Sequence, residues 1–298
     1  MMSSSADQVP TFADLPPEYC DRARARVAIV PVPYDTTSTW KKGADRGPAA
    51  ILEASHALEL YDIETGTEPF RHGIATLDPV ACGADPEMLA KEVKAVVGSL
   101  LEAGALPVLL GGEHSISIGA IQAAAASYPG LSVLQIDAHA DTREQYGGSA
   151  YNHACVMARA RELCSVVQVG IRSMDHGEVG AISPDRIFYA HQIMAEHGHG
   201  HDWMDRAISR LSDDVYVTID LDAFDPSIMP ATGTPEPGGL DWYTVNALLA
   251  KVAARRRVIG FDVVELLPTP EAWACDFLAA KLIYRFLSEV LADHQPST

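Results

Sequence analysis

Asp137-Ala138-His139-Ala140-Asp141 and Asp220-Leu221-Asp222 each follow directly on an apolar run that reads as a strand. With His114, in the run Gly111-Gly112-Glu113-His114-Ser115, they supply four carboxylates and two imidazoles. Such a set is large enough to hold two divalent cations side by side. Two cations that share one water make a nucleophile at neutral pH, so the pattern points to a metallohydrolase. Oxygen-rich ligation with two imidazoles suits manganese, and zinc, iron, cobalt and nickel are also compatible.

Residues two apart on an extended strand face the same side, so Asp220 and Asp222 present their carboxylates together, roughly 7 Å apart at the backbone. Asp137, His139 and Asp141 share a side too, but fully extended they span about 13 Å. That is too far for two cations about 4 Å apart. The chain is therefore expected to curl away after Asp137, where Ala138 and Ala140 are small enough to permit it. His114 follows a Gly-Gly turn, where glycine permits tight backbone geometry, and precedes a helix. Glu113 would favour that helix N-terminus electrostatically.

The elements that must position these residues alternate between strand-like and helical runs. Strands are predicted over 27–32, 73–77, 105–110, 131–136, 166–169, 186–189, 215–219 and 257–261. Helices are predicted from 48–55 and over 86–103, 115–127, 202–211, 242–254 and 276–292, with 36–47 as a long loop. The strands are continuously apolar rather than alternating, which indicates a parallel sheet covered by helices on both faces. Ligands of open α/β sheets sit at the carboxyl ends of the strands, where both acidic runs lie. No repeat or composition break appears, so one domain over 26–298 is expected after a loosely ordered arm over 1–25.

The 298 residues carry a net charge of −18. This argues against nucleic acid and anionic membranes as partners and would favour approach of a small cation. Five scattered cysteines without Cys-x-x-Cys spacing argue against a disulfide framework and fit a cytoplasmic setting. Residues 1–8 lack the basic start and apolar core of a signal peptide, and no long apolar span reads as a membrane helix. His197, His199 and His201 alternate with glycines and read as a solvated loop, so replacing all three should leave activity intact. Arg255-Arg256-Arg257 ends a helix, where cations are favoured. Cys155 has no histidine partner for nucleophilic chemistry. Arg143, the one cation near the expected ligands, reads as a surface loop residue.

The motifs resemble the ureohydrolase family, that is arginases, agmatinases and their relatives, and among these most resemble the agmatinases. Gly111-Gly112-Glu113-His114-Ser115, the Asp137–Asp141 run, Thr218 to Pro226, Ala231-Thr232-Gly233-Thr234-Pro235 and Asp262-Val263-Val264-Glu265 occur in the family's order and spacing, over nearly the whole chain. The resemblance implies a three-layer α/β/α sandwich around a mostly parallel sheet, an assembly of three or six copies, and hydrolysis of guanidinium compounds to urea and an amine at a dinuclear manganese site. Nickel or cobalt would also serve. It implies that His114 and Asp141 bind one metal, that His139 and Asp222 bind the other, and that Asp137 and Asp220 bridge them. A hydroxide between the metals would attack the guanidinium carbon, with Asp141 also accepting its proton. Glu265 would orient the guanidinium, a buried anion against a cation. His153 would shuttle protons to the leaving amine, a role suited to an unperturbed pKa near 6.5. Asp225 would fix the ligand loop without a catalytic role.

The loop 141–148 resembles agmatinases, lacking the cluster that arginases use to hold an amino acid's α-groups. Arginine's charged end would then lose water without gaining partners. Agmatine, yielding putrescine and urea, is the substrate this implies. Hydrolysis of 4-guanidinobutyrate, 3-guanidinopropionate, guanidine or arginine stays open, as does a catalytically silent homologue acting as a subunit. Ala154 after His153 and the segment 268–273 depart from the family pattern, and that segment is expected near the substrate tail.

Overall fold

Eight short apolar runs pair side by side into one sheet in which every ladder is parallel. The structure is a computed structural model and describes residues 10–196 and 202–292. Its strands are β1 (Val27–Val32), β2 (Ile74–Thr76), β3 (Leu106–Gly111), β4 (Ser132–Ile136), β5 (Ser165–Ile171), β6 (Ile187–Tyr189), β7 (Asp214–Asp220) and β8 (Arg257–Val264). They lie in the order β2-β1-β3-β8-β7-β4-β5-β6. The helices are α1 (Gly47–Ser55), α2 (Pro86–Glu102), α3 (Ile116–Ser127), α4 (Val156–Arg161), α5 (Ala190–Ala195), α6 (Asp202–Ser209), α7 (Trp242–Arg255) and α8 (Trp273–Val290).

The uninterrupted apolar strands bury both faces, and two separate cores result. Ile51 of α1, Leu248 of α7 and Leu282 and Phe286 of α8 pack with Val27, Ile29, Leu134 and Val217 on one face. Leu89, Val93 and Val97 of α2, Ile121 of α3 and Met157 of α4 pack with Val30, Leu109 and Val133 on the other. This is the expected three-layer α/β/α sandwich. Asp85 caps α2 by accepting the Glu87 N–H at 2.9 Å, and Pro86 occupies the first turn, where its missing N–H costs nothing. Leu89, Val93 and Val97 then recur on one helix face, fully buried. Truncating Leu89 to alanine would cost about 2–5 kcal/mol.

The arm differs from expectation. Phe12 and Leu15 are buried against α1, and Ala13 N–H donates to Ser55 Oγ at 2.8 Å, so residues 12–15 are packed rather than loose. Residues 1–9 lie outside the described residues, as do His197, His199 and His201. Among the described residues no helix is long and apolar enough to cross a membrane. All five cysteines are free thiols. Arg257 pairs with Asp214, and Arg255 with Asp205, so two arginines of the basic run have acidic partners.

Candidate metal centre

Four strand ends deliver the site to one edge of the sheet. β3 ends at Gly111 and turns through Gly112, where any Cβ would collide with the Tyr34 carbonyl. That turn brings His114 over the sheet. β4 ends at Ile136, and the chain then leaves the extended conformation: Asp141 has φ 52°, and His139 bridges to Ser173. The curl expected after Asp137 is present. β7 ends at Asp220, and one turn of 3-10 helix (Leu221–Ala223) brings Asp222 back, its N–H donating to Asp220 Oδ1 at 2.8 Å. Glu265 follows β8 with φ 67°, and its Oε1 accepts the His114 N–H at 2.8 Å. Two of the four non-glycine residues in the left-handed region among the described residues are thus Asp141 and Glu265. Such strain costs on the order of 1–3 kcal/mol and collects at functional sites.

The six expected ligands converge. His114 Nδ1 lies 2.9 Å from Asp141 Oδ2, 3.2 Å from Asp137 Oδ2 and 3.5 Å from Asp220 Oδ2. His139 Nδ1 lies 2.9 Å from Asp222 Oδ2 and 3.8 Å from Asp137 Oδ1. The donor atoms of His114, Asp137 and Asp141 form one group, and those of Asp137, His139 and Asp222 another, each within 4.8 Å; Asp137 belongs to both. His114 Nδ1 is buried yet makes no properly aligned hydrogen bond, despite its three carboxylate neighbours. An orphaned buried polar atom is costly, and a cation at the focus of these donors would satisfy it. The residues therefore fit a pair of divalent cations in both donor chemistry and aim.

Crowding shows in the titration of the same groups. Burial, with Asp222 and Asp141 alongside, pushes the Asp137 carboxyl up to about 7. Burial and the neighbouring Asp222 and Asp137 hold Asp220 well above the usual carboxylate range. Burial opposes a charge on His139, but Asp222 outweighs it and raises the imidazole to about 10. Such crowding of buried like charges around two imidazoles is the kind of perturbed cluster that collects at functional sites.

A second layer fixes these groups, and sequence reasoning missed it. Gln135 Nε2 donates to Asp137 Oδ2 at 2.7 Å and to the His139 carbonyl at 3.2 Å. Gln168, its register partner on β5, donates from Nε2 to the Gln135 side-chain Oε1 at 2.5 Å and to the Ala140 backbone carbonyl at 2.7 Å. His114 Nε2 meets Thr218 Oγ1 at 2.9 Å; Thr218 and Tyr216 both donate to the fully buried Asp262. Arg172 donates to the carbonyls of Gly170, Asp222, Ala223, Phe224 and Glu236. Asp225 accepts backbone N–H groups from Ser227, Gly238 and Gly239 and sits at about 2, held down by its hydrogen bonds with Ser227 first.

A cavity of about 290 Å³ opens above the cluster, lined by the expected site residues His114, His139, Asp141, His153, Asp220, Asp222 and Glu265. Asp137 lies fully buried behind them. Burial holds the His153 imidazole below its ordinary range. Thr37 Oγ1 stands 3.1 Å from His153 Nδ1 and Thr39 Oγ1 3.0 Å from Nε2, so the loop expected only as a connection supplies contacts to this ring. A run of hydroxyl residues just past a strand's carboxyl end was the available signal. Arg143, expected as a surface residue, lines the cavity, where its guanidinium lies 3.6 Å from Glu178 and 3.9 Å from Asp175 and over the Tyr146 ring. Residues 268–273, expected near the tail, contribute nothing to the lining. The Cys155 thiol is pushed up to about 11, by burial first, and so is no nucleophile at neutral pH.

Comparison with known proteins matches this geometry to a class. Residues 25–288 match the model of the arginase family. The chain is 39% identical over 277 residues to N(1)-aminopropylagmatine ureohydrolase from Synechocystis sp., covering 89% of each chain. It is 34% identical over 268 residues to agmatinase from Pyrococcus horikoshii, covering 86% of this chain and 89% of the relative. The crystal structure of agmatine ureohydrolase of Thermoplasma volcanium superimposes with a TM-score of 0.84 at 31% identity, covering 96% of each chain. The chain belongs to the arginase family. Its named relatives are ureohydrolases, and the class expected from the motifs, an agmatinase-like hydrolase of C–N bonds in linear amidines, stands.

Proposed function

We propose that this chain hydrolyses the guanidinium group of a substrate with a cationic polyamine tail, agmatine or its N1-aminopropyl derivative, to urea and the free amine. The observation that carries the reading is the convergence of four carboxylates and two imidazoles, with Asp137 common to both donor groups, beneath one cavity that Glu265 also lines. His114, Asp137, His139, Asp141, Asp220 and Asp222 would hold two cations, manganese by preference. When bound, the pair supplies Lewis acidity and an activated water. Glu265 pairs with the guanidinium and sets its carbon in reach. Asp141 takes the proton released as water adds. His153, kept neutral at rest by burial, receives that proton and passes it to the leaving nitrogen as the C–N bond breaks, so that both groups return to their starting forms.

The tail assignment rests on charge and on the relatives. Among the described residues Arg143 is the one arginine or lysine in the cavity lining, and Glu178 and Asp175 already face it. Among the described lining residues an amino-acid carboxylate would find no arginine or lysine without an acidic neighbour, whereas an ammonium would find acidic side chains. The named relatives are an N(1)-aminopropylagmatine ureohydrolase and an agmatinase. Assembly into trimers or hexamers belongs to the same proposal and is read by light scattering. The test is urea release with manganese from agmatine, N1-aminopropylagmatine, arginine, 4-guanidinobutyrate, 3-guanidinopropionate and guanidine. The highest kcat/KM is expected on one of the first two; a higher value on arginine or 4-guanidinobutyrate would overturn the tail assignment and turn attention to Arg143.

A further inference from the structure

Glu113 is fully buried, one residue before His114, and its carboxylate receives four hydrogen bonds. Oε1 accepts from Thr37 N–H at 3.3 Å, Thr37 Oγ1 at 2.9 Å and Ser115 Oγ at 2.9 Å; Oε2 accepts from Ser115 N–H at 2.9 Å. Both oxygens therefore face backbone N–H groups, which can only donate, and an ionised carboxylate satisfies all four. Thr37 is the link to the cavity. Its Oγ1 receives the His153 backbone N–H at 3.0 Å and lies 3.1 Å from His153 Nδ1.

A hydroxyl has one proton and two acceptor lone pairs. Thr37 spends its proton on Glu113 and one lone pair on the His153 N–H. Only a lone pair is left for the imidazole, so Nδ1 must carry the hydrogen. The tautomer of a histidine is set by the bond its other nitrogen makes. We infer that Glu113 and Thr37 form a relay that locks neutral His153 as the Nδ1–H tautomer and leaves Nε2, at the cavity, as the atom through which the proton passes. Both are positioning residues, since neither need touch the substrate. Thr39, on the exposed side, donates to Nε2 at 3.0 Å and gives way when a substrate nitrogen arrives. Nε2 takes up the proton that Asp141 has accepted from water, gives it to the leaving amine as the C–N bond breaks, and the ring returns to the same Nδ1–H form.

The catalytic part of this inference rests on the proposed guanidinium hydrolysis; the tautomer does not, and the two are tested separately. The full chain is prepared with ring-¹⁵N histidine and loaded with diamagnetic zinc, and the His153 signal is assigned by its loss in His153→Gln. One-bond N–H coupling is expected at Nδ1 and not at Nε2. Thr37→Val should release the ring toward Nε2–H, Thr37→Ser should restore Nδ1–H, and Thr39→Val should leave Nδ1–H in place. With manganese and the best guanidine substrate, Thr37→Val should lower kcat by roughly 10- to 100-fold, the usual effect of losing an outer partner, with KM little changed. Thr37→Ser should recover kcat. An Nε2–H ring in the wild type, or Nδ1–H persisting in Thr37→Val, would overturn the relay. The wild-type signal decides even where Thr37→Val does not fold. Absence of urea from every guanidine would sink the proposed reaction and leave the tautomer result to judge the relay alone.

Discussion

The two edges of the sheet carry opposite chemistry. At the amino edge a cavity of about 880 Å³ is lined by Arg26, Arg255, Arg256, Arg257, Asp213 and Asp214 among others. Arg257 grips Asp214 through two nitrogens at 2.5 and 2.8 Å, Arg255 reaches Asp205 at 2.7 Å, and Arg256 donates to the Arg255 and Ile208 carbonyls at 2.9 Å each. Those charges are balanced or tied to backbone. The carboxyl edge has the smaller cavity, yet there four buried or nearly buried carboxylates share two imidazoles, and Asp137 is pushed up to about 7. Size does not identify the working edge. Crowded buried carboxylates do, because a fold tolerates such like charges only where something else is gained.

Removing Asp137 should have the largest effect and splits the edges most clearly. Asp137→Asn should abolish manganese-dependent urea release and one cation site, read by equilibrium dialysis. It should also stabilise the cation-free protein. A folded carboxyl near 7, against about 3.9 in the unfolded chain, means that the folded state holds the proton more tightly. That contribution is present at acid pH and is lost as pH rises through 7. Thermal melts at pH 8 in chelator should therefore show a higher Tm for Asp137→Asn, by roughly 2–4 °C per kcal/mol recovered. A lower Tm would mean that the carboxylate cluster is structural.

Gln135 sharpens the same contrast one layer out. Gln135→Leu removes the donor to Asp137 and to the His139 carbonyl, and should weaken manganese binding by roughly 10- to 100-fold by competition with a chelator. At the amino edge, Arg257→Gln breaks a half-exposed pair and should cost at most about 1 kcal/mol, with urea release unchanged. A catalytic defect there would end the distinction between edges. Asp225 gives the smallest effect. Its carboxyl is held at about 2, below the ordinary value near 3.9, so its contribution is present above about pH 4 and is lost as pH falls toward 2. Denaturant melts of wild type and Asp225→Asn should differ at pH 5 and converge at pH 2.

What was legible in the chain follows from how local each signal is. β1 begins and ends where the apolar run over 27–32 does, and α3 and α7 fall within a residue or so of expectation, because burial writes itself along contiguous sequence. α4 and α5 were not foreseen: each spans six residues, and α4 is buried at Val156, Met157, Ala158 and Ala160, too short and too evenly apolar to show a helical stripe. The six clustered acids and histidines were readable because Asp137 to Asp141 and Asp220 to Asp222 are sequence neighbours on strand ends. The groups that aim them were not. Thr37 meets Glu113 across 76 residues and His153 across 116, and Gln135 meets Gln168 across 33, distances over which periodicity carries no information.

The central claim is that the carboxyl edge holds two cations that serve guanidinium hydrolysis. It is tested most directly by titrating cation-free protein with manganese and following urea release from agmatine and N1-aminopropylagmatine. Activity that rises from background and saturates at two equivalents per chain is expected. Saturation at one equivalent, activity in chelator, or no urea at any loading with manganese, nickel or cobalt would contradict it.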